Sequence, residues 1–259
     1  MEHDIWLVLF GFLVGVFGTM IGAGGGFILT PVLLLLYPHD STDTITSISL
    51  AVTFANAFSG SVAYARMKRI SYRYGLLFSA AAAPGAVLGA LATYYVSRSI
   101  FDPIFGLVLL AVSTFIFFRP PVEHEGDGNG AVHLSRRSVL IGISISIGVG
   151  FVSSFLGIGG GIVHVPALAG ILGFPVHTAT ATSHFILAIV TAVGVVVHIV
   201  TGTFHHGVVR TAFLAVGVLL GAQLGALVST KVGGKAIIRA LAVALALVGV
   251  RLLFLSLAE

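Results

Sequence analysis

Apolar residues along this chain do not alternate; they run in blocks. Blocks of membrane length lie at about 5–21, 45–65, 74–97, 100–118, 139–156, 179–201, 207–230 and 236–257. A helix crosses a hydrocarbon core roughly 30 Å thick with about 20 apolar residues, so each block predicts a spanning helix or most of one. Two shorter blocks, 27–37 and 162–172, do not fit that scheme. As helices they reach roughly 16 Å, about half of the core. Each follows a glycine cluster and carries a proline in its first turns, Pro31 or Pro166. That combination predicts a re-entrant or broken element; the alternative is one long kinked helix.

The glycine clusters belong to an internal repeat. Ile21-Gly22-Ala23-Gly24-Gly25-Gly26 followed by Pro31 matches Leu156-Gly157-Ile158-Gly159-Gly160-Gly161 followed by Pro166, at an offset of 135. With a one-residue slip, Ile48-Ser49 aligns with Thr182-Ser183 and Tyr64 with His198; further on, Pro84–Ala90 aligns with Leu220–Ala226. The chain therefore reads as two membrane repeats, 1–118 and 139–259, joined by a polar linker, 119–138. The linker holds Pro120-Pro121, Glu123, Glu125 and Asp127 among glycines, a composition that cannot bury a core. Its His124 and His133 are candidate metal ligands that read better as solvated loop histidines.

Composition agrees with the blocks. The chain is 57% apolar before its 33 glycines are counted and 8% charged, against roughly 45–50% with glycine included and about 25% in soluble domains. It has no cysteine and a net charge of only +4, which excludes a disulfide scaffold and a nucleic-acid partner. The first residues, Met1-Glu2-His3-Asp4, lack the basic region of a cleaved signal peptide, so the first apolar block is expected to stay.

Charge placement predicts the topology. Short cytoplasmic loops are enriched in Lys and Arg. If each glycine-rich element is a hairpin returning to its own side, a half has three full crossings and the second half is inverted. Arg66, Lys68, Arg69, Arg73, Arg119, Arg136, Arg137, Lys231, Lys235 and Arg239 then share one side, 10 of the 13 basic residues, leaving Arg98, Arg210 and Arg251 opposite. Single crossings would make the halves parallel and divide the charges 7 to 6. The inverted arrangement is expected, with a cytoplasmic linker and an external C-terminus.

The candidate chemistry is that of an anion site. Gly22–Gly26 is neither a dinucleotide fingerprint, since Phe27 stands where a third glycine is required, nor a phosphate loop, which needs Gly-Lys-Ser/Thr. Such a cluster does leave backbone N–H groups unobstructed at a helix N-terminus, which attracts anions. All nine acidic residues fall in termini, loops or block edges, the wrong placement for a cation carrier. The intramembrane polar groups are hydroxyls, amides and imidazoles: Thr19, Thr30, Ser47, Ser49, Thr53 and Asn56, then Ser153, Ser154, His164, Thr182, Ser183, His184, Thr191 and His198. These can solvate an oxyanion. Gly22, Gly24, Gly25, Gly26, Ser49, Asn56, Gly157, Gly159, Gly160, Gly161, His164, Ser183 and His184 are the expected substrate-binding residues, with His164 and His184 as candidates for proton coupling. His205 and His206 read as solvated in an external turn.

These residues resemble a known family. The doubled segments Ile21–Phe27 and Leu156–Ile162, each with a downstream proline and a Ser/Thr step, are similar to the sulfite exporter TauE/SafE family over nearly the whole chain. The resemblance implies a bacterial or archaeal inner-membrane permease for sulfur-containing anions such as sulfite, sulfoacetate and related organosulfonates, often working in export. The family's His-Xaa-Xaa-Xaa-Gly pattern is kept as His198 to Gly202, and Tyr64 to Lys68 departs from it.

The sequence thus predicts an all-α, polytopic membrane protein of two inverted repeats, each a glycine-rich re-entrant or broken helix plus about three spanning helices. Its expected function is secondary transport of a small sulfur-containing anion bound at the midplane, with one half rocking against the other. An anion channel and a permease for another small organic anion are the alternatives; an enzyme is not expected. No cofactor or metal is called for. The expected partners are the anionic substrate, the lipid bilayer and, as an assembly option, a second copy in a homodimer.

Overall fold

The structure, a computed structural model, describes residues 5–118, 134–203 and 207–258. Its helices are α1 (Trp6–Met20), α2 (Gly26–Leu36), α3 (Thr42–Arg66), α4 (Tyr72–Ala92, ending in a 3₁₀ turn Thr93–Tyr95), α5 (Arg98–Phe118), α6 (Arg136–Phe155), α7 (Gly161–Pro166, continued by a π turn Ala167–Ile171), α8 (Val176–Val200), α9 (Val208–Ser229) and α10 (Gly234–Ala258). No strand occurs among the described residues. Six of the described helices, α3, α4, α5, α6, α8 and α9, are long and apolar enough to cross a membrane. Every apolar block finds its helix, including both half-length ones. Residues 119–133 of the linker, with Arg119, His124 and His133, and the pair His205 and His206, lie outside the described residues. The end of the linker is ordered: Ser135 accepts from the Ser138 N–H at 3.1 Å and caps α6.

The two repeats interleave. The most extensive helix packings are α1 with α9, α4 with α6, α5 with α10, α3 with α8, α3 with α9 and α4 with α8, and each joins one half to the other. Each repeat is therefore tied to the other along several helices. Glycine makes the closest packings possible. Gly85 and Gly89 of α4 lie against the backbone of α6 at Ile147 and Phe151, and their repeat counterparts Gly221 and Gly225 lie against α1 at Phe12 and Val16. A Cβ at any of them would meet the neighbouring main chain, the close approach that small residues permit in a bilayer.

Contact registers fix the directions. Gly11 meets Leu214 and Gly15 meets Val218, so α1 and α9 are parallel. By the same reading α4 and α6 are parallel. Gly60 meets His184 while Gly194 meets Leu50, so α3 and α8, the matched helices of the repeat, are antiparallel. Ser113 bonds the Ala242 carbonyl at 2.9 Å and Gly106 meets Gly249, which makes α5 and α10 antiparallel.

These directions settle the glycine-rich elements. The end of α8 lies beside the start of α3, and α9 begins there and carries α1 alongside it; α1 therefore starts on the face where α2 ends. It forms a hairpin with α2 rather than a kinked span. By the same logic α6 and α7 form a hairpin from the opposite face. On the first face Arg98 donates to the carbonyls of Leu34 and Pro38 at 2.7 Å and of Tyr37 at 3.3 Å, satisfying the end of α2. On that face, too, Arg210 pairs with Asp40 and lies 3.7 Å over the Tyr37 ring. The second face carries Arg66, Lys68, Arg69, Arg73, Arg136, Arg137 and Lys231 at helix ends and turns.

Candidate functional site

The two hairpin tips meet halfway along α3 and α8. Gly22, Gly24, Gly25, Gly157, Gly159 and Gly160 all have φ between 68° and 82°, the left-handed region that a Cβ disfavours. The matching conformations give both halves the same turn. At the tips the main chains cross: a Cβ on Gly26 would lie 2.8 Å from the Ile158 carbonyl oxygen, and one on Gly161 would lie 2.5 Å from that of Gly22. Leu187 of α8 fills the space beside both Gly24 and Gly159. Everything from Ile21 to Gly26 and from Leu156 to Gly161 is buried, so the crossing is closed to both faces.

The serines singled out by the repeat hold the tips from opposite halves. Ser49 donates to the Gly157 carbonyl at 2.7 Å and itself accepts from Thr30 at 2.8 Å. Ser183 donates to the Gly22 carbonyl at 3.2 Å. Both serines therefore act on backbone acceptors, leaving the N–H groups of the first turns for something else. Among the described residues no acceptor takes the N–H of Gly26 or Phe27, nor that of Gly161 or Ile162. Such first-turn groups carry the positive end of the helix dipole.

Beside the crossing lies a polar cluster. Asn56 donates to the Gly24 carbonyl at 2.9 Å and accepts from Thr19 at 3.0 Å; His184 Nε2 lies 3.3 Å from the Thr19 hydroxyl. The His184 ring rests on Gly60 and meets the Tyr64 ring edge-on at 5.8 Å. Tyr64 Oη reaches the Thr19 carbonyl at 2.7 Å and Ser229 at 3.2 Å. The repeat does not duplicate this cluster. The positions matching His184 and Asn56 are Leu50 and Val190, so the crossing is polar on one side and apolar on the other.

Two histidines fall elsewhere. His164 sits on α7 with Nε2 3.3 Å from Ser146 of α6, and His198 bonds Thr203 at 3.1 Å in the turn after α8. Thr53, by contrast, belongs at the centre although it was not among the expected binding residues. Its methyl lies beside Gly24 and Gly159, and its hydroxyl faces Gly26, fully buried and with no hydrogen-bond partner among the described residues. A buried hydroxyl without a partner is unfavourable, and in a native structure it calls for an explanation. A signal was available: Ser49, Thr53, Asn56, Gly60 and Tyr64 recur at helical spacing and mark one face of α3.

Interleaved apolar helices around a buried crossing of glycine hairpins define a multi-pass helical membrane protein. The sequence profile described as "Sulfite exporter TauE/SafE" matches residues 7–252. The chain belongs to this family, whose members are membrane transporters rather than enzymes. Similar curated proteins include the probable membrane transporter protein YunE of Bacillus subtilis, 30% identical over 96% of each chain. A probable membrane transporter protein of Methanocaldococcus jannaschii is 25% identical over 88% of this chain and 84% of its own. No solved structure matches.

Proposed function

We propose that this protein is a secondary transporter across the inner membrane for a small sulfur-containing anion such as sulfite or sulfoacetate. The observation that carries the reading is the crossing itself. Among the described residues, two first turns with free N–H groups, one from each half, meet beside the unpartnered Thr53 hydroxyl, and no carboxylate stands near them. Donors without a fixed negative charge favour an oxyanion, and backbone N–H groups of half-helices are the means that membrane transporters use for it. The antiparallel α3 and α8, with the exchanged pairs α1–α9 and α6–α4, support two inverted repeats about this point. A site buried from both faces favours a carrier that alternates over a channel with a continuous wet pore.

Thermal protection of purified protein by sulfite, sulfate, thiosulfate, taurine and sulfoacetate tests the substrate class. Protection by a sulfur oxyanion is expected. Protection by none of them, together with protection by a cation, overturns the reading.

A further inference from the structure

Among the described residues no lysine or arginine stands at the hairpin crossing, although Arg69, with Nη1 buried, lies near Tyr64 on the second-face side. Every described Lys and Arg lies within about two turns of a helix end or in a turn. A bare anion at the midplane is costly, and the helix dipoles supply only about half a charge each. The remaining source of positive charge is an imidazole, and three are buried: His164, His184 and His198. His164 is bound to Ser146, and His198 lies at a helix end with Thr203. His164 also meets the Gly160 backbone at the second tip, but of the three only His184 joins the polar cluster beside the crossing, through Thr19 and Asn56 to the Gly24 carbonyl.

The hydrogen bonds also fix which nitrogen of His184 is bare. Asn56 gives its amide protons to Gly24, which directs its oxygen to Thr19; Thr19 gives its one proton to that oxygen. Thr19 is then an acceptor toward His184, whose Nε2 must carry the hydrogen. Nδ1 is left as a lone pair, buried and with no partner among the described residues. A lone pair repels an anion; a proton there would supply both a donor and a charge.

Resting on the anion-carrier reading, we infer that His184 carries the coupling proton, bound at Nδ1 together with the anion and released with it. Of the elements packed against the ring, α1 presents Thr19, α3 presents Gly60, Tyr64 and the Asn56 backbone, and the first hairpin tip presents the Gly22 backbone. Tyr64 is the one titratable group among these, with Arg69 beyond it at the second face. The proton site is therefore single and one-sided, because the repeat places Leu50 at the matching position.

Proteoliposomes with the membrane potential held at zero by valinomycin and equal potassium test this with labelled sulfoacetate and labelled sulfite. One proton per anion predicts that a one-unit pH gradient, acid outside, concentrates the anion about tenfold inside. In His184→Gln the ratio falls to about one, whereas His198→Gln, which lies outside the site, keeps the tenfold ratio. Should His184→Gln fail to fold, the wild type still decides through proton uptake from weakly buffered solution on anion binding, expected at one per site. Anion flux that ignores the gradient overturns the proton inference and leaves the carrier reading standing. Absence of flux for both anions in the wild type overturns the carrier reading and the inference with it.

Discussion

Ser183 donates to the Gly22 carbonyl across the interface between the repeats, and its counterpart Ser49 does the same to Gly157. Each half thus holds the hairpin tip of the other. The two bonds differ in their neighbours. If Ser49 becomes alanine, Thr30, already 3.1 Å from the Gly157 carbonyl, turns its proton to it. The other group beside the Gly22 backbone is the His184 imidazole, whose hydrogen is already given to Thr19. Ser49→Ala is expected to cost about 0.5–1.5 kcal/mol and Ser183→Ala about 1–3 kcal/mol, since only the second leaves a buried acceptor unpaired. Thermal unfolding of the purified variants checks the order, and a less stable Ser49→Ala contradicts it.

Gly159 combines two constraints. Its φ of 82° is left-handed and a Cβ there would strike Leu187. Gly159→Ala should destabilise by more than about 2 kcal/mol, of which roughly 1–2 kcal/mol is backbone strain. Adding Leu187→Ala removes the closer of two collisions, leaving the Thr53 methyl at 2.7 Å and the strain. A double-mutant cycle should therefore show a favourable coupling of about 0.5–3 kcal/mol between the two changes. Strict additivity would mean that Leu187 does not define the tip.

Arg98 reaches three carbonyls at the end of α2 with one guanidinium. Arg98→Ala should lower stability by about 1–2 kcal/mol, allowing for its partial exposure, and Arg98→Lys should recover little of it. An ammonium is a point charge without the planar fork. Full rescue by lysine would show that charge alone matters there.

The absence of cysteine makes topology accessible in intact cells. A single cysteine at His39, exposed on the first face, should react with a membrane-impermeant maleimide; one at Lys231, exposed on the second, should react only after the cells are opened. The opposite pattern would reverse the orientation that the basic residues imply.

Much of this architecture is legible in the sequence because it is local. Block length gives the helices, and glycine followed by an early proline gives the tips, as at Gly24–Pro31. The repeat already pairs Ser49 with Ser183. What the sequence does not show is which half each group serves. Nothing in the neighbourhood of Ser49 points to Gly157, 108 residues away, because interleaving of the halves is a tertiary property. The same holds for His164, whose position after the second tip suggests the site but whose partner is Ser146 of α6. Thr53 is hidden for a different reason: a threonine in a membrane helix ordinarily bonds its own backbone, as Thr191 does to Leu187. Only the crossing shows that Thr53 does not.

Thr53→Val offers the most direct test of the site, because it removes the hydroxyl and keeps the shape. In the absence of ligand the variant should unfold at the same temperature as the wild type or higher, since the lost group has no partner to lose. With sulfite or sulfoacetate present, the wild type should gain thermal stability and Thr53→Val should lose most of that gain. A Thr53→Val protein that keeps the full anion-induced shift would contradict anion binding at the hairpin crossing.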